Sequence, residues 1–481
     1  MATVNPLGSL AGPARRHAGA AVRVGALGGT ARADVDGSGS VGPAGASWGL
    51  EWWVGADDRW HIPREEAAVR QRRVGGVPVV ETAMRVPGGD AVARAYGVGG
   101  DPDGIVVEVE NASAAPFALA LVLRPAGHEG SPHGGGAGEP HPSGSGGALS
   151  WVAADGPRVE VDGTHRLLVP RPPMRWATGR AGTGSCRATV LAGEAFADAF
   201  GGPGGRVSDP GGSLEVALVF PVAHRTTFRS LLTTAGAEAP LGDAVPGRAL
   251  AGLATAAEAA RGWSALLDRG MRATLPDDRT DELLTAARAA VLLDPPADAA
   301  AMAVLEDWGL DAEAAEVWAR LGLRARRAAR RRPPLPAAPE AALAAAVASA
   351  SPLATWDAGP VPFLRALRDV LVDDVRGGSR REPAVALLPA LPSAWVGAPL
   401  EVHHAPTRAG RVSYALRWHG GHPLLMWEVD APRQRPGPGP ILRAPALDPG
   451  WSTRATTGDA LLGHHPDLPG DPGDPGDPSG T

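Results

Sequence analysis

Lysine is absent from the chain: all 46 basic side chains among its 481 residues are arginine. Without lysine there is no phosphate-loop lysine, no Schiff-base lysine for pyridoxal chemistry and no kinase-type lysine, so three large enzyme classes fall away. The surplus of Ala, Gly, Arg and Pro, with few Ile and Asn, reads as the codon bias of a GC-rich genome. One cysteine, Cys186, excludes an intramolecular disulfide framework and suits a reducing compartment. Long apolar runs are missing too. None reaches the roughly 18–20 residues of a membrane-spanning helix. Residues 1–21 carry Arg15, Arg16 and His17 with no long apolar core behind them, so no secretory signal is read and a cytoplasmic location is expected. The formal charge of −6 argues against a nucleic-acid partner. No G-x-S-x-G elbow, C-x-x-C pair or dinucleotide fingerprint with a following acid is present, and no cofactor is expected.

What is present falls into three regions. Residues 1–43 are a Gly/Ala-rich segment. From 44 to 240 short apolar runs alternate with Gly/Pro turns, which predicts an antiparallel β-sandwich. Within it, 105–110 and 117–123 flank a turn-rich break and predict a hairpin. Residues 126–148, almost pure Gly, Pro, Ser and His, predict a flexible insert. Cys186 is expected beside a strand. From 247 to 377 the period becomes helical: Leu250, Leu253, Ala257, Ala260, Trp263 and Leu267 recur on one face. Further helices are predicted over 281–293 (stopped by Asp294-Pro295-Pro296), 297–308, from Asp311, 337–350 and 362–375, about six in all. Strand signals return over 383–455 and predict a small terminal sheet, before a Pro-Gly-Asp tail at 456–481.

Three stretches resemble the six-hairpin glycosidases, the group of glucoamylase-like, glycogen-debranching-like and rhamnosidase-like enzymes. They are IVVEVENASAAPFALALVL at 105–123, LEDWGLDAEAAEVWARLG at 305–322, and ALLPALPSAW at 386–395 followed by VSYALRWHGGHPLLMWEV. The resemblance implies an N-terminal sandwich, an α/α toroid and a small C-terminal β domain. It also implies glycoside hydrolysis in carbohydrate metabolism, with an oligosaccharide as ligand. The family's toroid has twelve helices and needs at least about 180 residues, whereas the helical span here holds roughly 130. The middle domain is therefore expected to be an incomplete toroid, with its active site rebuilt or lost. The alternative is a non-catalytic carbohydrate-binding or scaffold protein.

Glycoside hydrolysis uses two carboxyl groups across the scissile bond. Glu306, Asp307 and Asp357 are the candidates in the helical region, because Trp308 and Trp356 beside the two aspartates offer indoles to a sugar face. The ordinary alternative is a solvated helix-end carboxylate next to a core tryptophan. No catalytic motif of the family is carried over onto these positions. In the sandwich, GLEWWVGADDRWHIPREE at 49–66 gathers Trp52, Trp53, Trp60 and His61 among acids and arginines, which suits a polyol ligand. A strand with core tryptophans and an Asp-Asp turn is the alternative. Asp34, Asp36, Ser38 and Gly39 imitate a calcium loop, but its twelfth position is Gly45 rather than Glu, so a Gly-rich turn is expected. His403, His404, His419 and His422 would suit zinc if their strands brought them together. Surface histidines are the plainer account, and no metal is expected. The run of arginines at 324–332 reads as a solvated helix end or as a surface for phosphate, RNA or an acidic partner, though no aromatic interleaves it as single-strand stacking would want.

Overall fold

The computed structural model describes residues 21–126, 148–182, 184–202, 204–234, 246–296, 298–320, 322, 335–374, 383–430 and 439–468. The core of the Gly-rich insert, the arginine run at 324–332 and the end of the tail lie outside the described residues. The protein is a multidomain β-plus-α chain. It divides into two units, one of residues 1–74 and 79–259, the other of 75–78 and 260–481.

The first unit is a two-sheet antiparallel sandwich. One sheet runs Val22–Gly25 (β1), Arg32–Val35 (β2), Val41–Pro43 (β3), Trp48–Gly55 (β4), Phe117–Pro125 (β10), Leu214–Val222 (β16) and Arg175–Arg180 (β14), with Trp60–His61 (β5) paired to β4. The other runs Arg206–Ser208 (β15), Trp151–Asp155 (β11), Arg158–Val161 (β12), His165–Leu168 (β13), Thr227–Thr234 (β17), Gly104–Asn111 (β9), Gly89–Val98 (β8), Val79–Val86 (β7) and Val69–Arg73 (β6). The sandwich thus takes in residues 22–43, whose alternating Val and Ala supply the buried face of β1 and β2. Between the sheets the Phe220 and Phe228 rings meet at 4.6 Å, and Trp48 stands edge-on to His165 at 5.3 Å.

The hairpin expected at 105–123 is not formed. β9 pairs with β8 and β17, whereas β10 pairs with β4 and β16, so the chain arches from one sheet to the other. Asn111 makes the arch possible. Its buried side chain donates to the Ala115 carbonyl at 2.9 Å and accepts from Ser113 N and Oγ at 3.0 and 2.7 Å. Polar groups that would go unpaired where the ladder ends are thereby satisfied. Turn chemistry alone does not separate a hairpin from an arch, because both need the same break; the apolar character of β10 on both faces is what marks an interior strand.

Cys186 lies beside β14 and β16, against a strand as expected, but on a helix. It opens a short helix, Cys186–Leu191 (α1), capped by Ser185, whose hydroxyl accepts from Arg187 N. The predicted long first helix is two: Pro246–Ala251 (α2) and Ala256–Leu267 (α3), which runs across the division between the units. Thr255 and Glu258 form a reciprocal cap that starts the second helix afresh.

The second unit continues with Asp278–Leu293 (α4), Ala299–Asp307 (α5), Asp311–Arg320 (α6), Pro339–Ala348 (α7) and Val361–Leu371 (α8). Asp277 and Asp298 cap α4 and α5. Among the described residues seven helices, α2 to α8, follow the last strand of the sandwich. α8 buries Phe363, Leu364, Leu367, Val370 and Leu371, and packs against α4, α5 and α7. The β region holds two sheets. Arg272–Thr274 (β18), Leu400–Thr407 (β21), Gly410–His419 (β22), His422–Asp430 (β23) and Thr457–Leu461 (β26) form one. Val372–Asp373 (β19), Ala384–Leu387 (β20), Ile441–Ala444 (β24) and Asp448–Thr453 (β25) form the other.

Candidate functional site

In the first unit, acids, arginines, tryptophans and a histidine come together where β4, β5 and the 3-10 turn Pro63–Glu65 meet. Alternation along β4 sends Trp52 between the sheets and Trp53, with Glu51, to the outer face. Both indoles are enclosed. Trp52 Nε1 donates to the Ser38 carbonyl at 3.2 Å, and Trp53 Nε1 donates to Glu51 Oε2 at 3.0 Å. Neither presents an open face to a sugar, so as platforms both are corrected to core residues: the strand is covered on both sides. Trp60 differs. It is half-buried, its ring laid on Gly55, where an added Cβ would stand 2.9 Å from Trp60 Cε2. Beside it Asp57, Asp58 and Arg59 are exposed at the turn.

His61 braces this turn from within. Its Nε2 lies 3.0 Å from Asp58 Oδ1 and its Nδ1 lies 3.1 Å from Glu66 Oε1. Arg59 completes the brace with a two-pronged bond to Glu66 at 2.5 and 3.1 Å. The hydrogen bond from His61 holds the Asp58 carboxyl below its ordinary range, and the Arg59 guanidinium does the same for Glu66. On the outer face below, Glu51 pairs with Arg64 and with Arg124 Nη1 at 3.5 Å. Arg124 pairs in turn with Glu215 at 2.7 Å. Glu215 accepts from Ser185 Oγ and from Cys186 N at 3.1 Å, so it anchors α1 to the sheet. Burial and the neighbouring Arg124 bring Arg64 down to about 10, and burial pushes the Cys186 thiol up, away from reactivity. Sequence reasoning missed this network. Its signal was a lone Glu inside the apolar run LEVALVF.

In the second unit Trp308 is 1% exposed, with Nε1 donating to the Leu364 carbonyl at 3.2 Å, so as a platform it too is corrected to a core residue. Glu306 is exposed but committed to Trp318 Nε1 at 2.6 Å. Asp307 ends α5, and its carbonyl accepts from Arg368 Nε at 3.2 Å. Trp356 is half-buried, stacked on Phe363 at 5.3 Å and donating to the Ala346 carbonyl, while the adjacent Asp357 is exposed.

The metal readings do not assemble. Asp36 accepts from Ser38 N and Ser40 N, both at 2.9 Å, as the turn expected, and Asp34 is paired with Arg23. His403 and His404 lie at the bulge in the middle of β21, beside Ser413 of β22, whereas His419 ends β22 six residues from Ser413, a run of about 20 Å at strand spacing. Among the described residues no group of three or more His, Cys, Asp or Glu side chains is arranged to hold a metal. No described helix is long and apolar enough to cross a membrane.

No protein-family model matches the chain, and no curated protein does. Among solved structures it is similar to a family GH92 inverting mannosidase from Bacteroides thetaiotaomicron, at 10% identity and a TM-score of 0.27, over 57% of this chain and 37% of that one. It is also similar to a family GH92 alpha-mannosidase from the same organism, at 8% identity and a TM-score of 0.25, over 57% of this chain and 39% of that one. The chain therefore spans well under half the length of either. Scores of this size assign neither a shared fold nor an activity.

Proposed function

We propose that the chain is a carbohydrate-binding protein on a glycosidase-like plan, acting in carbohydrate metabolism, and that an oligosaccharide is taken at the turn between β4 and β5. One observation carries the reading. A half-buried indole, Trp60, stands beside exposed Asp57, Asp58 and Arg59, with His61 and Glu66 fixing the turn. Sugars offer an apolar face to an indole and hydroxyls to carboxylate and guanidinium groups, so this combination matches their surface. Tryptophan fluorescence titrated with α-glucans, mannooligosaccharides and other neutral oligosaccharides tests it. Saturable binding of at least one sugar is expected, weakened about tenfold or more in Trp60→Ala. No binding across the panel, or unchanged binding in the variant, overturns the reading.

A catalytic reading is favoured by Trp356, half-buried beside the exposed carboxylate of Asp357. It assigns Asp307 and Asp357 as the carboxylate pair and Trp356 as the platform, with Glu306 in support. Turnover of aryl glycosides that is lost in both Asp307→Asn and Asp357→Asn supports this assignment. Turnover that survives both removes the pair, and binding without turnover leaves the non-catalytic reading.

A further inference from the structure

Each ring nitrogen of His61 faces a carboxylate oxygen, Asp58 Oδ1 at 3.0 Å and Glu66 Oε1 at 3.1 Å, while the side chain is 5% exposed. Ionised carboxylates only accept hydrogen bonds, and a neutral imidazole has one N–H and one lone pair. A neutral ring therefore bonds one of the two acids and turns its lone pair on the other. Only the imidazolium donates to both. We infer that His61 is a proton-operated latch: the charged ring ties the β4–β5 turn to Glu66, and loss of one ring proton releases Asp58.

Asp58 is the partner released because the two acids are held unequally. Glu66 is mostly enclosed and keeps its two-pronged bond from Arg59 whatever the ring does. Asp58 is about half exposed, and its other bond is the Arg59 N–H at 2.9 Å, so water replaces the ring at little cost. The remaining charged groups nearby are engaged elsewhere. Glu65 of the 3-10 turn pairs with Arg187 at 2.7 Å, while Arg64 of the same turn and Arg124 of β10 pair with Glu51 of β4. Asp57 is exposed at the tip of the turn. As the medium becomes more alkaline the latch opens, and the turn that carries Trp60 gains a carboxylate freed from the ring and held by the Arg59 N–H. The inference deepens the carbohydrate reading by giving its site a proton switch, but it rests on that reading only for the ligand.

The test is therefore made on the full chain without any sugar, so that its failure is distinct from a failure to bind carbohydrate. Long-range ¹H–¹⁵N correlation spectra report each histidine ring nitrogen, with the His61 signals assigned by their loss in His61→Gln. Both His61 nitrogens are expected to carry protons at neutral pH, each donating to its carboxylate, and one proton is expected to be lost as the pH is raised. In Asp58→Asn the amide can donate to a ring lone pair, so the ring is expected to be singly protonated, at Nδ1, under the same conditions. Glu66→Gln gives the mirror result, with the proton at Nε2. A neutral His61 in the unmodified protein at neutral pH overturns the inference. So does a ring that titrates identically in the unmodified protein and in both variants.

Discussion

Five directly opposed residues cross the outer face of the nine-stranded sheet with alternating charge: Arg72, Glu81, Arg94, Glu108 and Arg229. Glu108 is their most buried member at 5% exposure. It accepts from Arg229 Nε and Tyr96 Oη, both at 3.1 Å, and lies 3.8 Å from Arg94. Replacing Glu108 with Gln keeps the shape and removes the charge. The amide oxygen can still accept from Arg229 but carries no counter-charge, and the other acceptors of Arg229 are the neutral carbonyls of Leu250 and Leu253, at 3.4 and 3.3 Å. Arg94 keeps Glu81 at 2.7 Å and Glu110 at 2.8 Å. Breaking a fully buried pair costs about 3–5 kcal/mol. Both arginines here are about a fifth exposed and one keeps its partners, so the expected cost is about 2 kcal/mol.

The charge left on Arg229 is the larger part of that cost, and a second substitution isolates it. Arg229→Met in the Glu108→Gln background is expected to restore about 1 kcal/mol, so the two changes are not additive. Because the chain holds two units, a single unfolding midpoint mixes them. Amide hydrogen exchange read on β9, β17 and α2 follows the local effect instead. Protection lost in the single variant and partly regained in the double one is the expected result. A single variant within about 0.5 kcal/mol of the parent, or strict additivity, refutes the ladder as a source of stability.

Two buried arginines of the second unit are expected to behave oppositely. Arg368 donates to the carbonyls of Asp307, Val372 and Pro406, closing the ends of α5 and α8, so Arg368→Met should cost about 2–3 kcal/mol, seen as faster exchange in both helices. Arg288 donates to the Leu267 carbonyl, its Nε has no hydrogen-bond partner and its guanidinium lies over Trp308 at 5.7 Å, so Arg288→Met should change stability by no more than about 1 kcal/mol on the same measure. His165 is held below the ordinary histidine range by burial beside Trp48. A base depressed in the folded state is bound as the neutral ring. Its contribution is full above the ordinary histidine value and is lost as pH falls through it, so acid unfolding followed by circular dichroism should begin at lower pH in His165→Gln.

How much of this was legible in the sequence depended on the kind of signal. The end of α4 at Leu293 was readable because its stop, Asp294-Pro295-Pro296, is local, whereas the caps Asp277 and Asp298 went unread and the starts they fix were misplaced by two or three residues. The β–helical–β order was readable because periodicity changes from two to 3.6 and back. The pairing at 105–123 was not, because which strand lies beside which is decided by partners a hundred residues away, here Val222 and Phe228. The same distance hid the fate of the tryptophans. Trp52, Trp53 and Trp60 look alike in a row of acids and arginines, yet Trp52 is enclosed between the sheets beside Gly39 and Thr82 and Trp53 is enclosed with Cys186 and Val190 of α1, while Trp60 stays half-buried on the two-residue strand β5.

Charged residues inside apolar strands were the signal that went unused. Glu51, Glu108 and Glu215 each interrupt a run that is otherwise buried, and burying a carboxylate without a partner costs several kcal/mol. Each therefore implied an arginine from a neighbouring strand before any partner was known. The structure supplies Arg64 and Arg124 to Glu51, Arg229 to Glu108, and Arg124 to Glu215. These networks consume the charges they contain, which is why carboxylate density did not mark the candidate site. Asp58 is the exception, since half of it faces water and its ring partner holds it through a proton that can be lost. What distinguishes a candidate binding carboxylate from a structural one in this chain is therefore not its sequence neighbours but whether its counter-charge is permanent. Arginine makes Glu51, Glu108 and Glu215 fixtures; histidine leaves Asp58 available.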